Sequence, residues 1–302
     1  MTKTSVTGSE SVVKGRSWGL ERRLQFIDFR LRWSGHINRT DLTSFFGLSI
    51  PQASLDIAKY IELAPNNLAY DRRTKTYTAT PTFSAVYPQN SAQRYLAELL
   101  AMKTGVLEAD ASFIESAPEV CWVHIPFNTD NEQIVEVIVR AIRDKMAVSI
   151  CYQSSSSMDN SPRLISPHAL GNDGLRWRVR AYCHIKQQFS DFILTRILSI
   201  EGVELSTIDP ASDYPWHTHV QLMLKTNKEL PQARQRALEL EYGMRNGELN
   251  LSCRLACIHE TLGRFHISLM DENNEKDQLF VLKNKEDIQA IVRAYPHPLH
   301  AY

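Results

Sequence analysis

The stretch GLRWRVRAYCHIKQQFSDFILTRI, Gly174 to Ile197, reads as two β-strands joined by a turn, and it carries Arg176, Arg178, Arg180 and Arg196. Successive side chains on a strand point to opposite faces. The odd positions Leu175, Trp177, Val179, Ala181 and Cys183 are apolar and are expected to face a core. The even positions Arg176, Arg178, Arg180, Tyr182 and His184 put guanidinium groups and amphipathic rings on the other surface. In the partner strand Arg196 stands among Phe192, Leu194, Ile197 and Leu198, where a charge needs a partner. Any one of these arginines could be solvated, or paired with Asp173 or Asp191. As a set they suit an anionic ligand such as a phosphate or nucleotide, through bidentate hydrogen bonds and stacking. Tyr152 and Ser154 lie in phase on the preceding strand, and His168 follows Pro167 on another.

Working outward, EQIVEVIVRAIRDK (132–145) has the apolar spacing of a helix. Strands are expected over 121–127, 163–170 and 191–205, and 146–157 reads as a strand running into a polar loop. One helix among several short strands predicts a small β-barrel or curved sheet. Beyond a loop around Asp209–Pro215, a strand (219–225), a helix (231–243), a mixed stretch (248–270) and a final strand and helix (280–297) predict a small α/β module.

Upstream, residues 20–33 place Leu20, Leu24, Ile27 and Leu31 at helical spacing, and Gly35 ends that run. NRTDLTSFFGL starts a second helix, with Asn38 or Thr40 as cap and Gly47 as stop. A third helix follows, with Ser49 as N-cap, Pro51 in its first turn, Leu55, Ile57, Ala58 and Ile61 as the expected inner face, and Pro65 as stop. NNLAYDRRTKTYTAT then reads as a hairpin with a polar tip. Three short helices and a basic hairpin make the order of a winged helix-turn-helix, which inserts its later helix into the major groove of DNA. Ser49, Gln52, Ala53 and Ser54, with Lys59 further along, are the expected exposed residues of that helix. Glutamine can pair bidentately with adenine. Arg72, Arg73 and Lys75 at the hairpin tip suit phosphate or minor-groove contact, and Tyr77 joins the expected DNA-binding set. Residues 91–103 read as a connecting helix.

The chain has 302 residues, 43% of them hydrophobic and 23% charged, with no net charge. At roughly 100–200 residues per domain this suggests two or three domains. The neutrality hides an asymmetry: residues 1–80 carry 12 Lys+Arg against 7 Asp+Glu, whereas residues 81–216 carry 11 against 16. A locally basic segment can bind phosphates inside a neutral chain. No apolar run reaches the ~20 residues of a membrane-spanning helix, and the polar N-terminus is unlike a signal peptide, so a cytoplasmic protein is expected. The five scattered cysteines read as buried free thiols. No cofactor or metal site is expected. There is no phosphate-binding GxxxxGK[ST] and no GxSxG elbow, and His259-Glu260 fails to continue as HExxH because Gly263 stands at the last position. Asp159, Asp173 and Asp191 would have to converge to make a nuclease, which keeps a nucleotide-processing enzyme as an alternative.

RWRVRAYCH, ISPHAL and FILTRI together resemble the WYL domain of bacterial transcription regulators, with Trp177 matching the signature and Arg178 and Val179 replacing its Tyr and Leu. FRLRWSGHINRTDL and SIPQASLDIAKYIELAPNNLAYD resemble the winged helix of CapW/BrxR-type regulators of anti-phage systems, and the tail resembles the C-terminal extension of WYL proteins, called WCX. This resemblance implies a multidomain α+β chain that is not an enzyme. Its parts would be a disordered tail (1–15), a winged helix-turn-helix (16–85), a helical linker (86–118), an Sm-like (SH3-like) barrel as WYL domain (119–208) and a small α/β WCX dimerisation module (209–302). It implies a homodimeric repressor that binds an inverted repeat of double-stranded DNA, and senses a nucleotide or oligonucleotide effector. Tyr152, Ser154, His168, Arg178, Arg180, Tyr182 and Arg196 form the expected effector site, and a nucleic-acid-binding accessory protein is a second alternative.

Overall fold

The computed structural model describes residues 9–123, 131–155, 160–269 and 278–295, with side chains from residue 19 onward. The chain forms two compact units, Met1–Ile125 and Pro126–Tyr302.

The first unit opens with α1 (Ser9–Trp33), followed by β1 (His36–Ile37), α2 (Arg39–Phe46), α3 (Ile50–Leu63), β2 (Leu68–Asp71), β3 (Thr76–Ala79) and α4 (Ala92–Lys103). The three strands pair antiparallel in the order β1-β3-β2, the arrangement of a winged helix. Local chemistry sets the boundaries. Gly35, at φ +78°, ends α1. Asn38 caps α2 in a capping box: the Asp41 N–H donates to Asn38 Oδ1 (3.0 Å), and the Asn38 N–H donates to Asp41 Oδ2 (2.7 Å). Ser49 caps α3, and Pro51 lies in its first turn. Helix α1 begins at Ser9, inside the segment expected to be a disordered tail. Residues 9–15 contain no proline, and Gly15 weakens a helix propagating back from Leu20 without breaking it.

The core of this unit is aromatic. Phe26 meets Phe45, Phe46 and Phe113 with ring centroids 4.8–5.3 Å apart. Leu99, Phe113 and Ile114 are buried in the same cluster as α1 to α3. The segment expected as a linker is therefore part of the first unit's core. Beneath the helices lies the buried Asp28 carboxylate. It accepts from the Tyr60 hydroxyl (2.6 Å), the Val86 N–H (2.9 Å) and Asn90 Nδ2 (3.0 Å).

The second unit starts with α5 (Glu132–Asp144), whose Ile134, Ile138 and Ala141 form a buried stripe. Then come β4 (Met146–Tyr152), β5 (Arg163–Asn172), β6 (Trp177–Cys183), β7 (Gln188–Ile193) and β8 (Ile197–Leu205), antiparallel in the order β7-β6-β5-β4-β8. The expected single strand over 191–205 is broken by a 3-10 turn at Leu194–Arg196. That short turn joins the two edge strands, so the sheet has to curl. Edge strands β7 and β8 share no hydrogen-bonded ladder among the described residues, so of the two expected forms the described strands make the curled open sheet, and no closed Sm-like barrel. No strand forms at Cys121–Val123, and residues 124–127 of the expected strand lie outside the described residues.

The chain continues through α6 (Tyr214–His217), β9 (His219–Thr226), α7 (Gln232–Glu241), β10 (Glu248–Arg254), α8 (Ile258–Gly263), β11 (Phe280–Leu282) and α9 (Lys285–Arg293). These strands form a second sheet, β10-β9-β11, with Leu238, Ile258, Leu262 and Ile288 buried in a separate core. All five cysteines are free. Cys183 is fully buried, but Cys121 is exposed and the others are half-buried, so the expectation of buried thiols holds for Cys183 alone. No described helix is long and apolar enough to cross a membrane.

Candidate nucleic-acid interface and effector site

The first turn of α3 and the β2–β3 hairpin present most of the expected DNA-binding residues. Arg72, Arg73 and Lys75 are exposed at the hairpin tip. The Asp71 side chain accepts from the Arg73 N–H (2.8 Å), and Lys75 adopts φ +58° to close the turn. Tyr77 is half-buried, packs on Tyr70 across the hairpin (4.8 Å) and accepts from Arg39 Nη2 (3.5 Å). Ser49 is used as the α3 cap, and Ser54 Oγ donates back to the Ile50 carbonyl (3.0 Å). Lys59 is exposed but pairs with Glu62 (2.7 Å). Gln52 Nε2 donates to Asp56 Oδ1 (2.9 Å).

Ala53 is a correction: it is 0% exposed. The inner face of α3 is Ala53, Asp56, Ile57 and Tyr60, while Leu55 is 64% exposed and Ala58 and Ile61 also face outward. Counting apolar residues shifted the stripe, because the buried Asp56 is made tolerable by Arg23, far away in sequence on α1 (2.6 Å). Ile50 and Arg39, outside the expected set, are exposed on the same unit. Arg39 follows the cap Asn38 directly, and its side chain reaches Tyr77 of the hairpin.

The expected effector residues fall into two groups. Arg178 and Arg180 do not form an open surface. Arg178 is held by Asp173 (2.7 Å) and Glu260 (2.6 Å). Arg180, 4% exposed, donates to Asp213 through Nε (2.7 Å) and Nη2 (3.0 Å) and to Asp191 through Nη1 (3.0 Å). His168 also meets Asp213, at 2.9 Å. Asp213 precedes α6 and Glu260 lies on α8, so the C-terminal part of the unit covers the even face of β6. The odd face is also only half as expected. Val179, Ala181 and Cys183 are in the core, but Trp177 is 54% exposed at the strand's start and Leu175 is exposed too. Tyr182 is half-buried and packs edge-on against His184 and Phe189 (both 5.3 Å).

Two arginines against four carboxylates leave an excess of negative charge. Burial pushes Asp191 up to about 6, and neighbouring Glu260 adds to the rise against the pull of Arg180. Burial acts on Asp213 too, but the hydrogen bonds from His168 and Arg180 hold its carboxyl below the usual range. Asp173 and Asp191 do converge, but on arginines. Asp159 lies outside the described residues. No group of three or more His, Cys, Asp or Glu that could hold a metal occurs among the described residues.

The second group sits at the end of β4. Tyr152 Oη accepts from the Ile193 N–H (3.2 Å), Ser154 is half-buried just beyond, and the Gln153 N–H donates to the Arg196 carbonyl (2.9 Å). Arg163, missed in the sequence, places its guanidinium over the Tyr152 ring (5.6 Å). Arg163 Nε and Arg196 Nη1 are buried with no hydrogen-bond partner among the described residues. A charged residue opening a strand after a run of serines was the clue to Arg163.

Three family models match the chain. The BrxR transcriptional regulator winged helix-turn-helix domain matches residues 19–101. The WYL domain matches residues 133–201, and the BrxR transcriptional regulator C-terminal dimerization domain matches residues 219–288. A DNA-binding transcriptional repressor CapW of Pseudomonas aeruginosa is 40% identical over 95% of this chain and 97% of its own. Proteins of the same description from Escherichia coli (strain KTE188) and Stenotrophomonas maltophilia are 38% and 39% identical, over 93% and 91% of this chain and 94% and 93% of theirs.

Proposed function

This chain belongs to the CapW/BrxR family of WYL-domain transcriptional regulators, and we propose that within it the chain is a cytoplasmic, homodimeric, sequence-specific repressor of a bacterial phage-defence operon. Its relatives are repressors, and the enzyme alternative is set aside. The observation that carries the DNA reading is the winged unit's exposed basic tip, Arg72, Arg73 and Lys75, together with the exposed Ser49, Ile50 and Pro51 at the start of α3. A single winged helix reads few base pairs, and two related by a two-fold axis double the contacts and demand a palindrome. The dimerization-domain match at 219–288 supports that pairing.

The effector is proposed to be a nucleotide or oligonucleotide. Arg163 and Arg196 favour the end of β4 as its contact, because each has a buried N–H with no partner among the described residues. Arg178, Arg180 and His168 already have carboxylate partners, so a phosphate reaching them would have to compete with Asp213 and Glu260.

Selection from random duplex DNA tests the function. The expected result is an inverted repeat whose affinity falls steeply with salt as phosphate-bound counterions are released. Enrichment of no sequence, with no binding at low salt, would overturn it.

A further inference from the structure

One residue on the outer part of α3 has its orientation fixed from behind. Asp56 is 1% exposed. Its carboxylate accepts from Arg23 on α1, through Nε (2.6 Å) and Nη2 (3.2 Å), and from Gln52 Nε2, one turn earlier on α3 (2.9 Å). Arg23 supplies the countercharge that lets a carboxylate stay buried there.

A carboxylate paired with arginine offers only acceptors. The Gln52 amide must therefore turn its nitrogen, not its oxygen, towards Asp56. A glutamine free of such a partner can present either hand. Oxygen and one N–H outward match adenine, whereas the NH₂ alone outward would suit the acceptors of guanine. In Gln52 one amide hydrogen is used on Asp56, which leaves Oε1 and the second amide hydrogen for a base. Gln52 lines an open groove between α1 and α3, together with Leu55, Ala58 and Lys59, so that edge is reachable.

We propose that Gln52 is a specificity-determining residue that selects adenine at one position of each half-site, and that Arg23 and Asp56 are positioning residues that set its hand. The inference rests on the reading of α3 as the DNA-reading helix.

The test compares motifs selected from random duplex DNA by the full-length protein, Gln52→Ala and Asp56→Asn. Wild type is expected to show an adenine preference on the order of 10- to 100-fold at one position per half-site. Gln52→Ala loses that preference. Asp56→Asn offers both a donor and an acceptor, so Gln52 can take either hand and the position relaxes to adenine or guanine. The salt dependence of affinity stays unchanged in both, because no phosphate contact is altered, and a purely structural role for Asp56 would not produce this split. If a melting curve shows that Asp56→Asn does not fold, the double replacement Arg23→Met with Asp56→Leu takes its place, because it removes both charges of the buried pair together. Gln52 then has no fixed acceptor behind it, and the same relaxation is expected. A wild-type protein that enriches no sequence overturns the DNA reading and this inference with it. A wild-type motif that Gln52→Ala and the positioning variant select unchanged overturns this inference alone.

Discussion

Arg180 shows how a charge at the centre of a sheet face is accommodated. Its guanidinium makes three hydrogen bonds to Asp213 and Asp191, and Asp213 has His168 as a second partner. Removing one partner from a buried ion pair leaves the other charged and unpaired. Arg180→Met is expected to lose about 3–5 kcal/mol in urea unfolding, a loss that a mere surface arginine would not show. The same cluster predicts a pH dependence. Asp191, raised from 3.8 to about 6, binds a proton more readily in the folded than in the unfolded chain. Its stabilising contribution is fully present below pH 3.8 and is lost as pH rises towards and through 6. Asp213 is shifted the opposite way, so its contribution holds above the ordinary carboxylate range and fails only in stronger acid. Urea midpoints of the second unit are therefore expected to fall between pH 4 and 6 in wild type, and that limb should flatten in Asp191→Asn. The sequence offered Asp173 and Asp191 as local partners, and both do pair. Asp213 and Glu260 were illegible, because they reach Arg180 and Arg178 from 33 and 82 residues away.

At the scale of the element, what could be read was what local chemistry decides. Helix boundaries at Asn38, Gly47 and Ser49 follow from caps and a left-handed glycine, and all three stand. Replacing the capping-box Asn38 by Ala is expected to cost about 1 kcal/mol, read as a lowered melting temperature of the first unit. The inner face of α3 was misread where a distant residue decides. Asp56 is buried where Arg23 and Gln52 meet it, and Leu55 faces outward. Likewise α4 reads as a connector from periodicity alone, whereas its Leu99 is buried in the core alongside Phe113. Tyr60→Phe probes the same non-local packing. It removes the hydroxyl that donates to buried Asp28 (2.6 Å) and is expected to cost about 1–3 kcal/mol.

At the scale of the whole molecule, the charge asymmetry along the chain foretold the division of labour better than net charge did. The basic stretch runs from α1 through the wing, and the acidic stretch holds three of the four carboxylates that meet the β6 arginines, Asp173, Asp191 and Asp213. The central claim is that the first unit reads DNA through its wing and α3. The most direct measurement is the salt dependence of binding to the selected operator, for wild type and for a protein with Arg72, Arg73 and Lys75 all replaced by Ala. Each lost phosphate contact is expected to reduce the log–log slope by about 1 and to weaken binding to every sequence alike. A smaller slope with an unchanged base preference is the result this account requires. An unchanged slope and affinity would move the DNA site off the wing and contradict it.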